Sequence, residues 1–176
     1  MRIMLSSPIP GCGKDTIADY LVQEYKYTKL SFASGIYRIA REYFGMKEKD
    51  RVLLQSIGQG FRSMDNNIWV KNVDKKVKEI QELVGTDRIV ISDLRQKNEY
   101  DWGIESDFIP IRISTSFDLA VDRIEKRDGS CDITRFNYES EKGVEDIEMK
   151  TIYNDSDLET LYKKIDNLME ENGVVK

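Results

Sequence analysis

Short apolar runs alternate with stretches of helical spacing along the chain. Ile3-Met4-Leu5 is unbroken, and residues 2–6 read as a buried strand. Ile17, Ala18, Leu21, Val22 and Tyr25 recur one helical turn apart, so the spacing predicts a helix over 14–26. Residues 27–32 alternate loosely and read as a second strand. Ile36, Ile39, Ala40, Tyr43 and Phe44 predict a helix over 34–45, stopped by Gly45. Residues 47–62 are charged and then amphipathic, with Gly58 and Gly60 expected to end that helix.

The clearest helical period is Ile68, Val73, Val77, Ile80 and Val84, over residues 66–84. Residues 88–93 form a β-branched run that ends in an acid, and a short helix is expected over 96–102. Residues 108–113 read as a strand, in which Pro110 favours an edge or irregular position. Phe117 to Arg127 predicts a helix. Residues 128–148 are polar and read as a mobile excursion. Residues 149–153 suit a last short strand, Leu158, Leu161, Ile165 and Leu168 a closing helix, and residues 173–176 a frayed tail. Strands alternating with helices imply an α/β protein, a parallel sheet of about five strands covered on both faces, with the first strand central.

Between the first strand and its helix lies Ser7-Pro8-Ile9-Pro10-Gly11-Cys12-Gly13-Lys14-Asp15-Thr16. Strand, glycine-containing loop, lysine and helix is the layout of a P-loop, whose backbone N–H groups converge on phosphate. Gly11, Cys12, Gly13, Lys14, Asp15 and Thr16 are therefore the expected nucleotide contacts, with Lys14 reaching the terminal phosphates. Pro8 stands where the pattern has its first glycine, and Asp15 where it has a hydroxyl. A carboxylate at that place is tolerable only beside a metal or an arginine. Asp93 ends the third apolar strand, and with Asp15 and Thr16 it is a candidate magnesium ligand.

Phosphoryl transfer needs charge neutralised on three oxygens and little covalent chemistry, so fixed arginines matter more than a base. Arg123 and Arg127, four apart on one predicted helix, lie just before the polar excursion. Arg38, Arg62 and Arg95 are candidates for a second phosphate-bearing substrate. Trp69 could stack a base, and Asn154 could border one, although a helical aromatic is more often core and Asn154-Asp155 can also serve as a cap.

Composition removes several classes. The 176 residues contain no histidine, which excludes histidine bases and histidine-ligated zinc. A net charge of −5 argues against a general grip on nucleic acid. Two cysteines, one of them inside the loop, suit a reducing cytoplasm. No signal peptide or membrane span is expected. A guanine-reading Asn/Thr-Lys-x-Asp after a strand does not occur, against a GTPase switch.

The loop Gly11 to Asp19 resembles that of the phage-type deoxynucleoside monophosphate kinases, within the wider P-loop kinase group. Ser31-Phe32-Ala33, Leu54-Gln55-Ser56-Ile57-Gly58 with Arg62, Ile68-Trp69-Val70, Ser92-Asp93-Leu94-Arg95 and Ile152-Tyr153-Asn154-Asp155 are similar to its later segments in the same order. The resemblance implies a single three-layer P-loop kinase domain over 1–176, with an acceptor-binding helical region at 34–85 and a lid at 123–148. It implies transfer of the ATP γ-phosphate to a (deoxy)nucleoside monophosphate with Mg²⁺. Lys14, Arg95, Arg123 and Arg127 would stabilise the transferring group, and Arg38, Arg62, Trp69 and Arg95 would hold the acceptor. A kinase for dephospho-coenzyme A or phosphomevalonate keeps the same core, and a domain that binds nucleotide without catalysis is the remaining alternative. A homodimer is left open.

Overall fold

A computed structural model describes residues 1–132 and 143–176. The chain runs β1 (Arg2–Ser6), α1 (Lys14–Tyr25), β2 (Thr28–Leu30), α2 (Ser34–Phe44), α3 (Arg51–Met64) and α4 (Ile68–Val84). It continues with β3 (Ile89–Ile91), α5 (Lys97–Glu105), β4 (Phe108–Ser114), α6 (Phe117–Asp128), β5 (Lys150–Tyr153) and α7 (Leu158–Glu171). Two compact units result: residues 1–29 with 87–176, and residues 30–86. The second nearly coincides with the segment set apart at 34–85. Of the lid segment expected at 123–148, residues 133–142 lie outside the described part.

The five strands form one parallel sheet in the order β2-β3-β1-β4-β5, so β1 is central as expected. Its side chains alternate. Ile3 and Leu5 join the apolar layer formed by Ile17, Ala18 and Leu21 of α1 and Leu161, Ile165 and Leu168 of α7. Met4 points to the other face, where a β-carbon on Gly103 of α5 would collide with the Met4 methyl. Helices thus cover both faces, giving three layers. Ile17 is fully buried, and truncating it leaves a cavity that the packed layers cannot fill. Ile17→Ala is expected to cost about 2–4 kcal/mol in denaturant unfolding, with an unchanged slope.

Sequence patterns mislead at three places. Pro110 stands in β4, an interior strand, opposite Met4. The pairing of β4 with β5 begins only at Ile111 opposite Lys150, so at Pro110 the strand is still locally an edge and the missing N–H costs no ladder bond there. Helix α3 runs through Gly58 and Gly60 to Met64. Tertiary packing overrides the weak helix propensity of Gly58, whose carbonyl accepts the Trp69 indole N–H at 3.2 Å. The terminal residues are held: Val174 N–H donates to the Met169 carbonyl, and the Lys176 ammonium reaches Asp166 at 3.1 Å and the Tyr20 hydroxyl at 3.0 Å.

In the second unit Trp69, Val70, Val73 and Val77 of α4 are buried, together with Ile36, Ala40 and Ile57. Asp50 caps α3 by accepting the Leu53 N–H at 3.0 Å. Among the described residues no helix is long and apolar enough to cross a membrane.

Candidate functional site

Parallel pairing brings the carboxyl ends of β1 and β3 to the same edge of the sheet, and the loop grows from that edge. Ser6 and Ser7 are buried. The Ser7 hydroxyl donates to the Ile9 carbonyl at 2.9 Å, which turns the chain back on itself despite Pro8 and Pro10. Gly11 and Gly13 take φ of +85° and +93°, a region that disfavours side chains. A β-carbon would stand 2.8 Å from the Ala120 carbonyl oxygen at Gly11 and 2.6 Å from the Asn154 amide nitrogen at Gly13. Both glycines are therefore required twice, by conformation and by space.

Gly13 precedes α1 and offers no capping side chain, so the first turn of the helix is not closed by its own cap. The positive end of α1 and the loop amides define an anion site of the P-loop kind. The Lys14 ammonium donates to the Ser7 hydroxyl, folded back across the loop. Cys12 is buried, and burial pushes its thiol up against the opposing pull of the Ile9 amide, Lys14, Thr115 and Ser7.

Asn154, at the end of β5, fixes the loop from the side. It is 4% exposed, and its amide donates to the Cys12 carbonyl at 2.9 Å. Its carbonyl oxygen accepts from Arg123 at 3.3 Å, and Arg123 also reaches the Ser156 carbonyl at 3.4 Å. Thr115 ties the same region together, its one hydroxyl proton shared between the Asn154 backbone carbonyl and the Asp155 carboxylate, each at 2.9 Å. Arg127, one turn on from Arg123 along α6, forks onto Asp128 at 2.7 and 2.9 Å.

Asp93 is half-buried just beyond β3, and the next residue, Leu94, donates its N–H to the Leu5 carbonyl at 3.1 Å. This bond holds the Ser92-Asp93 turn beside the carboxyl end of β1. The Ser92 hydroxyl lies near enough to the Asp15 carboxylate to lower it. Asp15 also meets Lys29 of β2 at 3.0 Å. Burial raises the Asp15 carboxyl, but the Lys29 hydrogen bond and charge, Ser92 and Lys14 together leave it below the usual aspartate value. The offsetting charge expected from a metal or arginine is here supplied by a lysine.

Oxygen donors from Asp15, Thr16 and Asp93 match the preference of magnesium, which takes one or two protein carboxylates and leaves the remaining positions to water and phosphate. No cluster of three or more metal-ligating side chains occurs among the described residues, and such an ion does not require one.

Arg95 follows Asp93 by two residues. Its backbone N–H and that of Gln96 both donate to the buried Glu99 carboxylate at 3.0 Å, which fixes the turn into α5. The second unit carries Arg38, Arg62 and Trp69. Arg38 lines a cavity of about 450 Å³ with Ser31, Ser34, Tyr37, Arg41 and Glu42. Lys76 donates to the Ser34 hydroxyl at 2.7 Å, and burial together with the Arg38 charge lowers its ammonium. Arg62 folds along α3, its guanidinium 3.4 Å from where a Gly58 β-carbon would lie. Trp69 is 4% exposed and packs at 5.5 Å on Phe61, within the core of the unit.

Sequence reasoning missed Lys29, Thr115 and Lys76. Lys29 was recoverable by asking what neutralises Asp15. Thr115 and Lys76 carry no local signal, since each acts through a partner far along the chain.

No curated protein matches the sequence. Solved structures share the fold at low identity. A sugar kinase from Janibacter sp. HTCC2649 is similar at 16% identity and a TM-score of 0.59, with 100% of this chain and 99% of that chain covered. A putative kinase from Chloroflexus aurantiacus j-10-fl gives 15%, 0.56 and 97% of both chains. TT1252 from Thermus thermophilus gives 15%, 0.54 and 97% of both. At such identities the likeness establishes the α/β fold of P-loop kinases and nothing finer. A family model described as an AAA domain matches residues 8–152, from within the loop to the last strand, and on that match the chain belongs to the AAA domain family.

Proposed function

We propose that this protein is an ATP-dependent small-molecule kinase whose phosphate acceptor is a (deoxy)nucleoside monophosphate. The observation that carries the reading is the loop itself: two glycines at positive φ, an uncapped helix start and a lysine folded back on Ser7, at the carboxyl edge of the central strand. ATP would lie on residues 11–16. The loop amides and Lys14 bind and orient its phosphates, and Arg123 and Arg127 of α6, with Arg95, offset the charge of the transferring group. Asp15, Thr16 and Asp93 would hold Mg²⁺, which when bound neutralises charge on the phosphate oxygens.

Support for an anionic acceptor comes from the cavity in the second unit. Of its lining, Arg38 and Arg41 outnumber the one acid, Glu42, and Ser31 and Ser34 add hydroxyl donors. Fixed guanidinium groups suit a phosphate better than a neutral sugar. ADP release measured with Mg-ATP across the common ribo- and deoxyribonucleoside monophosphates tests the reading. At least one should be turned over, and silence with all of them refutes the acceptor. Arg38→Met is expected to raise the KM of the active acceptor by about 20-fold or more, with a smaller change in kcat and in the KM of ATP. Equal changes in both KM values would remove Arg38 from the acceptor site.

A further inference from the structure

Asp15 is chemically out of place. A carboxylate in the first turn of α1 competes with phosphate for the positive helix end and for Lys14. The structure places a fixed cation beside it. Lys29 Nζ lies 3.0 Å from Asp15 Oδ1 and 2.9 Å from Asp19 Oδ1. Asp15 and Asp19 are four apart on α1, so one ammonium from β2 serves both carboxylates.

The acids that Lys29 serves are as open to water as those of ordinary surface pairs, Asp15 at 77% and Asp19 at 60% exposed, but the cation is not. In the helical i,i+4 pairs of Lys75, Lys78, Lys97, Lys126 and Lys163, the lysine side chain is 66–80% exposed. Lys29 is only 30% exposed, so its stem is packed and its head pre-positioned. Ser92, just beyond β3, stands near enough to lower the same Asp15 carboxylate. The fixed member of the set is therefore Lys29, which holds Asp15 from the strand that follows α1.

We propose that Lys29 is a built-in counter-cation of the phosphate loop, a positioning residue that neutralises and orients Asp15 so that a polyphosphate can settle on residues 11–16. The inference rests on the phosphate-loop reading given above. It assigns Lys29 no contact with phosphate. Its effect on phosphate runs through Asp15, the nearer of its two acids to the loop, which makes it separable by experiment.

The test is calorimetric binding of inorganic tripolyphosphate, without divalent metal, to the full chain. Wild type, Lys29→Met, Lys29→Arg, Asp15→Asn and the Lys29→Met/Asp15→Asn double variant are compared. Lys29→Met should weaken binding about tenfold, the effect of one uncompensated charge near the anion. Lys29→Arg should stay within about threefold of wild type, because it keeps the charge. In the Asp15→Asn background, Lys29→Met should cost less than about twofold, since the carboxylate next to the loop is gone and only Asp19, one turn further along α1, remains. An equal loss in both backgrounds, or no loss in either, overturns the inference while leaving the loop reading intact. A wild-type protein that binds no tripolyphosphate removes the loop reading and this inference with it.

Discussion

Replacing Lys14 by alanine is expected to lower turnover about a thousandfold and leave the fold intact. Its ammonium rests on Ser7 across the loop, where it can move to a phosphate without rearranging the backbone. Loss of that one charge removes stabilisation that grows as charge shifts during transfer, so kcat falls more than the affinity for ATP. Little apolar surface is lost, and the thermal midpoint should move by no more than about 2 °C. The measurement is ADP release under saturating ATP and acceptor, beside a melting curve. A variant that keeps its turnover would show that Lys14 is a surface lysine.

Gly11→Ala should have the second-largest effect, on binding rather than on chemistry. Gly11 holds φ at +85°, and the new methyl would meet the Ala120 carbonyl oxygen at 2.8 Å. That oxygen belongs to the backbone of α6, so it cannot step aside as a flexible side chain would. Left-handed conformation alone costs an alanine about 1–2 kcal/mol, and the contact adds to it. The loop must shift, and with it the amides that converge on phosphate. Affinity for ADP is expected to fall about a hundredfold, with a melting point lower by a few degrees. Binding at wild-type strength would mean that the loop geometry does not hold the nucleotide.

The parts of this molecule that depend on neighbours in sequence were legible from sequence. The run Ile3-Met4-Leu5, the spacing of Gly11 and Gly13 and the helical period of α1 place a phosphate loop on a central strand before any coordinates are known. The parts that depend on distant neighbours were not. Whether Pro110 disturbs β4 is decided by where β5 begins, some forty residues later. Whether Gly58 ends a helix is decided by an indole from the next one. Asn154 is expected from sequence to border a base or to cap the last helix, but its bond to the Cys12 carbonyl spans 142 positions that no local pattern encodes. Asp15 reads as a charge needing an opposite, and the opposite is Lys29, on the strand that follows α1.

The most direct test follows backbone amide resonances of the full chain as inorganic tripolyphosphate or ADP is added. The account predicts saturable shifts concentrated at Ile9, Gly11, Cys12, Gly13, Lys14 and Asp15, with a smaller response at Ser92 and Asp93, and none of these in the Gly11→Ala variant at the same ligand concentration. Binding that leaves the amides of residues 9–15 unmoved, or that shifts resonances only elsewhere in the chain, would contradict it.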